Sequence, residues 1–372
     1  MSVGILQQYS NKNFFAYICT PWQIKGVEVA VELLKNEGKD INAVVFVADH
    51  NITGRCIDAK DCPERNEIEW VNVSFSEFIE GIVNSFSNIK RLIYLPLNFL
   101  FKNSVYVYSA GKLALWWLYV IPAVLKKHVI FIFGDDGSGG YIGYGNYENQ
   151  DFLHRNYYKF CFKLLKKTNR CIDQRILLYK KGNKFEQNKV VAKKYQEILA
   201  ESEETLASYI IDAFSGNIVL NTQCLFDNKE INGEQDLNVL RVLKRTLMEV
   251  SDRVVIRPHP REASLDRYNE FCWDVIAGVS ITQEEIFSKL EKKPKMIIGI
   301  YSSTLINLKA LFGVDTISLV YFYRNEDISD GEKKSCDDFI NTFGNYIMMP
   351  KNEEELKWCI YNIIKKYELN NK

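Results

Sequence analysis

Short apolar runs alternate with stretches in which apolar positions recur every three or four residues, and this alternation fills most of the chain. It predicts a buried strand over residues 14–20, a helix over 23–35 and a second strand over 43–48. Further strands are predicted at 105–108 and 129–133, with a helix over 112–126 between them. Strands that are apolar throughout, separated by amphipathic helices, indicate a parallel sheet covered on both faces. The alternation then pauses. Residues 151–200 hold 13 Lys and Arg against 4 Asp and Glu and few strand signals, and read as helices and a basic connector.

The alternation resumes with strands at 217–220, 253–256, 296–300 and 316–320 and helices at 237–250, 304–311 and 353–367. Two α/β domains of similar size are expected, residues 1–210 (including the connector at about 151–200) and 211–372. In such sheets ligands bind beyond the carboxyl ends of the strands. The expected fold is therefore two Rossmann-like domains facing a cleft, a GT-B-like architecture.

Composition narrows the function classes. The 372 residues carry 47 Lys and Arg against 47 Asp and Glu, and zero net charge argues against a dedicated nucleic-acid binder. Nine cysteines occur without a C-x-x-C pair, which points to reduced thiols in a cytoplasmic protein. The four histidines show no metal-ligand spacing, and Pro260 interrupts the one H-x-x-E, His259 to Glu262, so no metal site is expected. Residues 1–13 are polar and do not read as a signal peptide. The apolar runs at 92–101 and 113–125 are shorter than the roughly 20 residues that span a bilayer.

Three motifs stand at predicted strand ends. Gly134-Asp135-Asp136-Gly137-Ser138-Gly139-Gly140 follows the strand at 129–133. Adjacent carboxylates repel, which raises one pKa and favours a general base, while glycines let backbone approach a ligand. The same residues also make an ordinary turn. Arg257-Pro258-His259-Pro260-Arg261 follows the strand at 253–256. A histidine between two prolines has little backbone freedom, and flanking arginines suit it to an anionic oxygen or a leaving phosphate. A rigid exit loop is the plainer reading. Tyr301-Ser302-Ser303-Thr304 lies between a strand and a helix, where one hydroxyl caps the helix and three exceed what a cap requires. All three motifs face the same predicted cleft.

Asp135-Asp136-Gly137, His259-Pro260 and Ser302-Ser303, in this order, resemble the [DE]-[DE]-G, H-P and S-S/T motifs of bacterial sialyltransferases. Cys19-Thr20-Pro21-Trp22-Gln23 is similar to the T-P-x-Q start of glycosyltransferase family 52, the lipooligosaccharide and capsule sialyltransferases. The capsular polysialyltransferases share the same three motifs. The resemblance implies a GT-B fold and inverting, metal-independent transfer from CMP-sialic acid to a terminal galactose or similar sugar of a bacterial surface glycan, with no cofactor. It implies Asp136 as the general base with Asp135 in support, His259 as donor to the departing phosphate, and Ser302 and Ser303, with Pro260, around that phosphate. Gly137, Ser138, Thr20 and Gln23 are then expected at the substrates, with Trp22 as an acceptor platform or as packing. Thr222 and Gln223, after the first strand of the second domain, are expected at the nucleotide. Gly299 serves either ligand approach or tight packing.

Alternatives remain at this level: a polysialyltransferase or another CMP-sugar (Kdo-type) transferase, a UDP-sugar transferase or epimerase of GT-B type, or an inactive nucleotide-binding protein. Residues 155–194, with Phe160 and Phe162 among the lysines, read either as a solvated face or as a peripheral contact to an anionic inner-membrane surface.

Overall fold

The computed structural model describes residues 8–9, 11–48, 57–74, 77, 105–110, 129–135, 174–180, 186–202, 205–249, 253–279 and 281–370. The chain forms two compact units, with the main divide between Leu177 and Leu178.

The first unit is built on a six-stranded sheet of β1 (Phe14–Ile18), β2 (Ala43–Ala48), β3 (Ile68–Val73), β4 (Val105–Ser109), β5 (Val129–Gly134) and β6 (Gln174–Ile176). The spatial order is β3-β2-β1-β4-β5-β6 and every pairing is parallel. β1 and β2 are buried along their whole length, so both faces of the sheet centre are covered and the strands need no polar alternation. Helix α1 (Pro21–Asn36) follows β1 and buries Ile24, Val27, Val31 and Leu34. The strand order reverses between β1 and β4, which makes the carboxyl ends of those strands and of β5 the switch point where such sheets take ligands.

The second unit repeats this plan with β9 (Ile218–Asn221), β10 (Val254–Arg257), β11 (Asp274–Val275), β12 (Met296–Gly299) and β13 (Thr316–Ser318), in the order β11-β10-β9-β12-β13, again all parallel. A small antiparallel pair, β7 (Tyr179–Lys180) and β8 (Glu186–Gln187), precedes it. Its helices are α2 (Lys189–Ala200), α3 (Ser208–Phe214), α4 (Gly233–Leu247), α5 (Gln283–Lys289), α6 (Ser303–Phe312), α7 (Val320–Arg324), α8 (Asp330–Phe343) and α9 (Glu353–Asn370). Here the reversal lies between β9 and β12.

Helix α2 falls in the stretch read as a connector, and it is an integral part of the second unit. Its buried Val191, Tyr195, Ile198 and Leu199 form one face, and it packs on α5 and α6. Most of the basic stretch, the helix expected at 112–126, and Asp136, Gly137 and Ser138 lie outside the described residues. No described helix is long and apolar enough to cross a membrane.

Candidate functional site

At the switch point of the first sheet the Thr20-Pro21-Trp22-Gln23 turn is a helix start. Thr20 is the N-cap, accepting from the Gln23 N–H at 3.3 Å, and Pro21 sits where no amide donor is needed. The Gln23 side chain reaches back and accepts from the Cys19 N–H at 2.8 Å, a relative of the reciprocal capping box. The indole Nε1–H of Trp22 donates to Asp135 Oδ1 at 3.4 Å, joining the β1 turn to the end of β5. Asp135 is fully buried. Trp22 therefore supports the acidic motif through its indole N–H. Gly134, just before it, has a specific cause: a Cβ there would stand 2.0 Å from the hydroxyl oxygen of the buried Tyr108 on β4. Only glycine fits beneath that ring.

The second switch point is tied across three strands. Beyond β10, the Glu262 N–H donates to the His259 carbonyl at 2.9 Å and closes a turn with Pro260 at its second position, where proline's fixed φ is favoured. Within it, the Arg261 N–H donates to His259 Nδ1 at 3.2 Å. A ring that accepts at Nδ1 carries its proton on Nε2, so the turn selects the tautomer as well as the loop shape. Beyond β9, the Thr222 hydroxyl donates to Glu262 Oε2 at 2.5 Å, and Gln223 Oε1 accepts from the Tyr301 N–H at 3.2 Å. Beyond β12, Ser302 is the N-cap of α6 and accepts from the Thr304 N–H at 3.2 Å. Accepting there uses a lone pair and leaves the hydroxyl proton to donate elsewhere. Ser303 opens the helix, at the positive end of its dipole.

The loops of β9, β10 and β12 thus converge, and His259, Pro260, Thr222, Gln223, Ser302 and Ser303 share one edge of one sheet. Arg257 does not contribute charge to it. Its guanidinium turns inward onto the carbonyls of Ile276, Val279 and Ile281, which corrects the expectation of two flanking cations; Arg261 is exposed. Gly299 lies against Leu305 and the Asn221 carbonyl, each 3.4 Å from the place of a Cβ, so close packing accounts for it.

Glu262, the acidic end of the H-x-x-E, has a place that its spacing alone does not predict. Its side chain is fully buried and is held by Thr222, the His259 N–H, Arg267 Nη2 at 2.8 Å and the Tyr268 hydroxyl at 3.0 Å. Arg267 also pairs with the buried Asp236 of α4, which accepts from the Tyr323 hydroxyl at 2.7 Å. Two carboxylates and one guanidinium bury a net negative charge, and burial pushes both Glu262 and Asp236 above the usual carboxylate range despite Arg267. The clue was the H-P-x-E spacing, in which a proline turn folds the fourth residue back onto the first. In the same unit a pocket of about 640 Å³ opens between Phe226, Glu230, Asn232, Asp327 and Ser329. Burial, with Glu332 nearby, raises Glu230 as well. Among the described residues no group of three or more His, Cys, Asp or Glu is placed to hold a metal ion.

Two parallel sheets with the Rossmann strand order define the class of α/β protein, and comparison with solved structures extends it. The UDP-GlcNAc 2-epimerase of Methanocaldococcus jannaschii matches 94% of this chain and 91% of its own at 12% identity, with a TM-score of 0.55. The alpha/beta-galactoside alpha-2,3-sialyltransferase of Photobacterium phosphoreum matches 91% of this chain and 99% of its own at 12% identity and a TM-score of 0.50. At such identities the likeness is one of fold, the two-domain GT-B architecture. The sequence itself matches the Alpha-2,8-polysialyltransferase (POLYST) family over residues 14–321, and the chain belongs to that family. The resemblance to bacterial sialyltransferases read from the motifs is thereby borne out. No curated protein matches the sequence.

Proposed function

We propose that this protein transfers sialic acid from CMP-sialic acid to a sugar hydroxyl of a bacterial surface glycan. The observation that carries the reading is the His259 turn: within a chain of this family, a local hydrogen bond fixes the imidazole with its proton on Nε2, at the same end of the sheet as a serine-capped helix N-terminus. As the glycosidic bond to sialic acid breaks, negative charge grows on the departing CMP phosphate, and preorganised donors there stabilise the transition state. His259 Nε2–H supplies one such donor, and the hydroxyls of Ser302 and Ser303 with the α6 dipole supply the rest. A monophosphate leaving group served in this way needs no divalent cation. Asp136 takes the acceptor proton, and the buried Asp135 supports it.

Two acceptors fit this chemistry. A galactose-terminated oligosaccharide is one. An already sialylated primer, elongated through further sialic acids, is the other, and the polysialyltransferase family match favours it. The deciding assay supplies CMP-sialic acid with either acceptor and reads the products by mass. Growth of the sialylated primer alone assigns chain elongation, a single addition to galactose assigns mono-transfer, and no product with either acceptor overturns the reading. Asp136→Ala should abolish transfer while CMP still raises the melting temperature of the protein.

A further inference from the structure

We propose that Glu262 is a positioning residue that sets the place of His259 by clamping the β10 turn to the β9 loop, with Arg267 holding Glu262 in turn. The proposal rests on the reading that His259 serves the leaving phosphate. One oxygen, Oε2, receives both the Thr222 hydroxyl at 2.5 Å and the His259 N–H at 3.1 Å, so a single atom fixes the spacing of two loops. The other, Oε1, receives Arg267 Nη2 at 2.8 Å and the Tyr268 hydroxyl at 3.0 Å. A carboxylate offers about four acceptor sites, and all four are used.

The anchor reaches deep into the unit. Arg267 lies over the rings of Phe226 and Tyr268, 5.1 and 4.8 Å from their centroids, and its other arm is held by Asp236, itself fixed by Tyr323 of α7. Side-chain exposure of Arg267 is only 9%. A clamp so anchored connects the His259 turn to α4 and α7. The substitution logic follows from donor counting. A glutamine at 262 has one oxygen and one NH2 group: whichever way the amide lies, two donors that met an acceptor now meet a donor.

The test uses the full chain labelled with 15N-histidine, whose four histidines keep the ring spectrum simple. Long-range proton–nitrogen spectra at about pH 8, above the ordinary imidazole value, read the tautomer directly. The His259 signal is identified by its loss in His259→Gln. Thr222→Val removes one arm of the clamp without changing side-chain size much, and Glu262→Gln disrupts the whole. Both are expected to move His259 from the Nε2–H form towards a mixture and to lower kcat by roughly 10–100-fold, the cost of a misplaced catalytic group. KM for CMP-sialic acid should change by less than about 3-fold, because Ser302, Ser303 and the α6 N-terminus still hold the ground-state phosphate. Thr222→Ser should restore both readouts. If the His259 signals stay unchanged in both Thr222→Val and Glu262→Gln, the clamp is overturned, whatever happens to activity. If both variants move the signals and the wild type transfers no sialic acid, the clamp stands and the sialyltransferase reading falls.

Discussion

The two sheets share one strand order, yet their switch points are built differently. In the first unit the described polar side chains at the switch point are tied mainly within one turn: Thr20 and Gln23 serve the start of α1, and Trp22 reaches across to the buried Asp135. In the second unit the ties run from loop to loop, Thr222 and His259 through Glu262, Gln223 to Tyr301. The first arrangement positions one carboxyl motif and leaves its neighbours to helix capping. The second fixes three loops against one another, the arrangement that the proposed phosphate site requires if several donors are to meet one anion at once. Topology chooses where a ligand sits, and the pattern of side-chain ties decides how firmly its contacts are held.

The sharpest way to break one switch point alone is Gly134→Ala. Its methyl meets Tyr108 at 2.0 Å, and overpacking of this kind costs about 3 kcal/mol. Denaturant unfolding should show the first unit destabilised, while CMP still stabilises the second. A smaller effect separates the units by pH. Glu262 and Asp236 titrate above their ordinary values of 4.5 and 3.8, so between ordinary and raised values the folded chain holds protons that the unfolded chain has released. Their contribution to stability is therefore full below about pH 4 and is lost as pH rises through the raised values. Asp236→Asn removes the excess buried charge facing Arg267, Tyr268 and Tyr323. The melting temperature of that variant should decline less steeply with pH than that of the wild type. The smallest effect compares the two caps. Thr20→Ala and Ser302→Ala should each cost about 1 kcal/mol. In kinetic assays Ser302→Ala should weaken donor turnover more than Thr20→Ala; equal losses from both would erase the distinction between the two switch points.

The central strands were legible because burial on both faces makes them uniformly apolar. β2 ends where the pattern placed it, and β1, β4, β5, β9, β10 and β12 agree within a residue or two. β3 escaped because Glu69 and Asn72 interrupt it at the sheet edge, where one side is open, and β6 and β11 escaped because three and two residues carry no period. The places of His259, Thr222 and Ser302 beyond strand ends were legible because the strands before them were, whereas Asp136, Gly137 and Ser138 lie outside the described residues. The place of Glu262 was not legible, since its value arises only when the turn brings it beneath His259 and the distant Arg267 and Asp236 close around it. Arg257 was misread for the same reason. A charge next to a motif in sequence is free to point into the core, and here three backbone carbonyls draw it there.

The segment after Leu177 has a practical consequence for recombining parts of such proteins. Tyr179 is buried with its hydroxyl on the Ile306 carbonyl at 3.2 Å, the Ser288 hydroxyl donates to the Leu199 carbonyl at 3.2 Å, and Lys289 Nζ donates to the Ser202 carbonyl at 2.6 Å. A chimera spliced near residue 210 would inherit α5 and α6 from one parent and the helix that covers them from another, with mismatched side chains at a buried seam. Spliced just before Leu178, the incoming half would bring its own cover, and the exchange would join chains at the seam that already divides them.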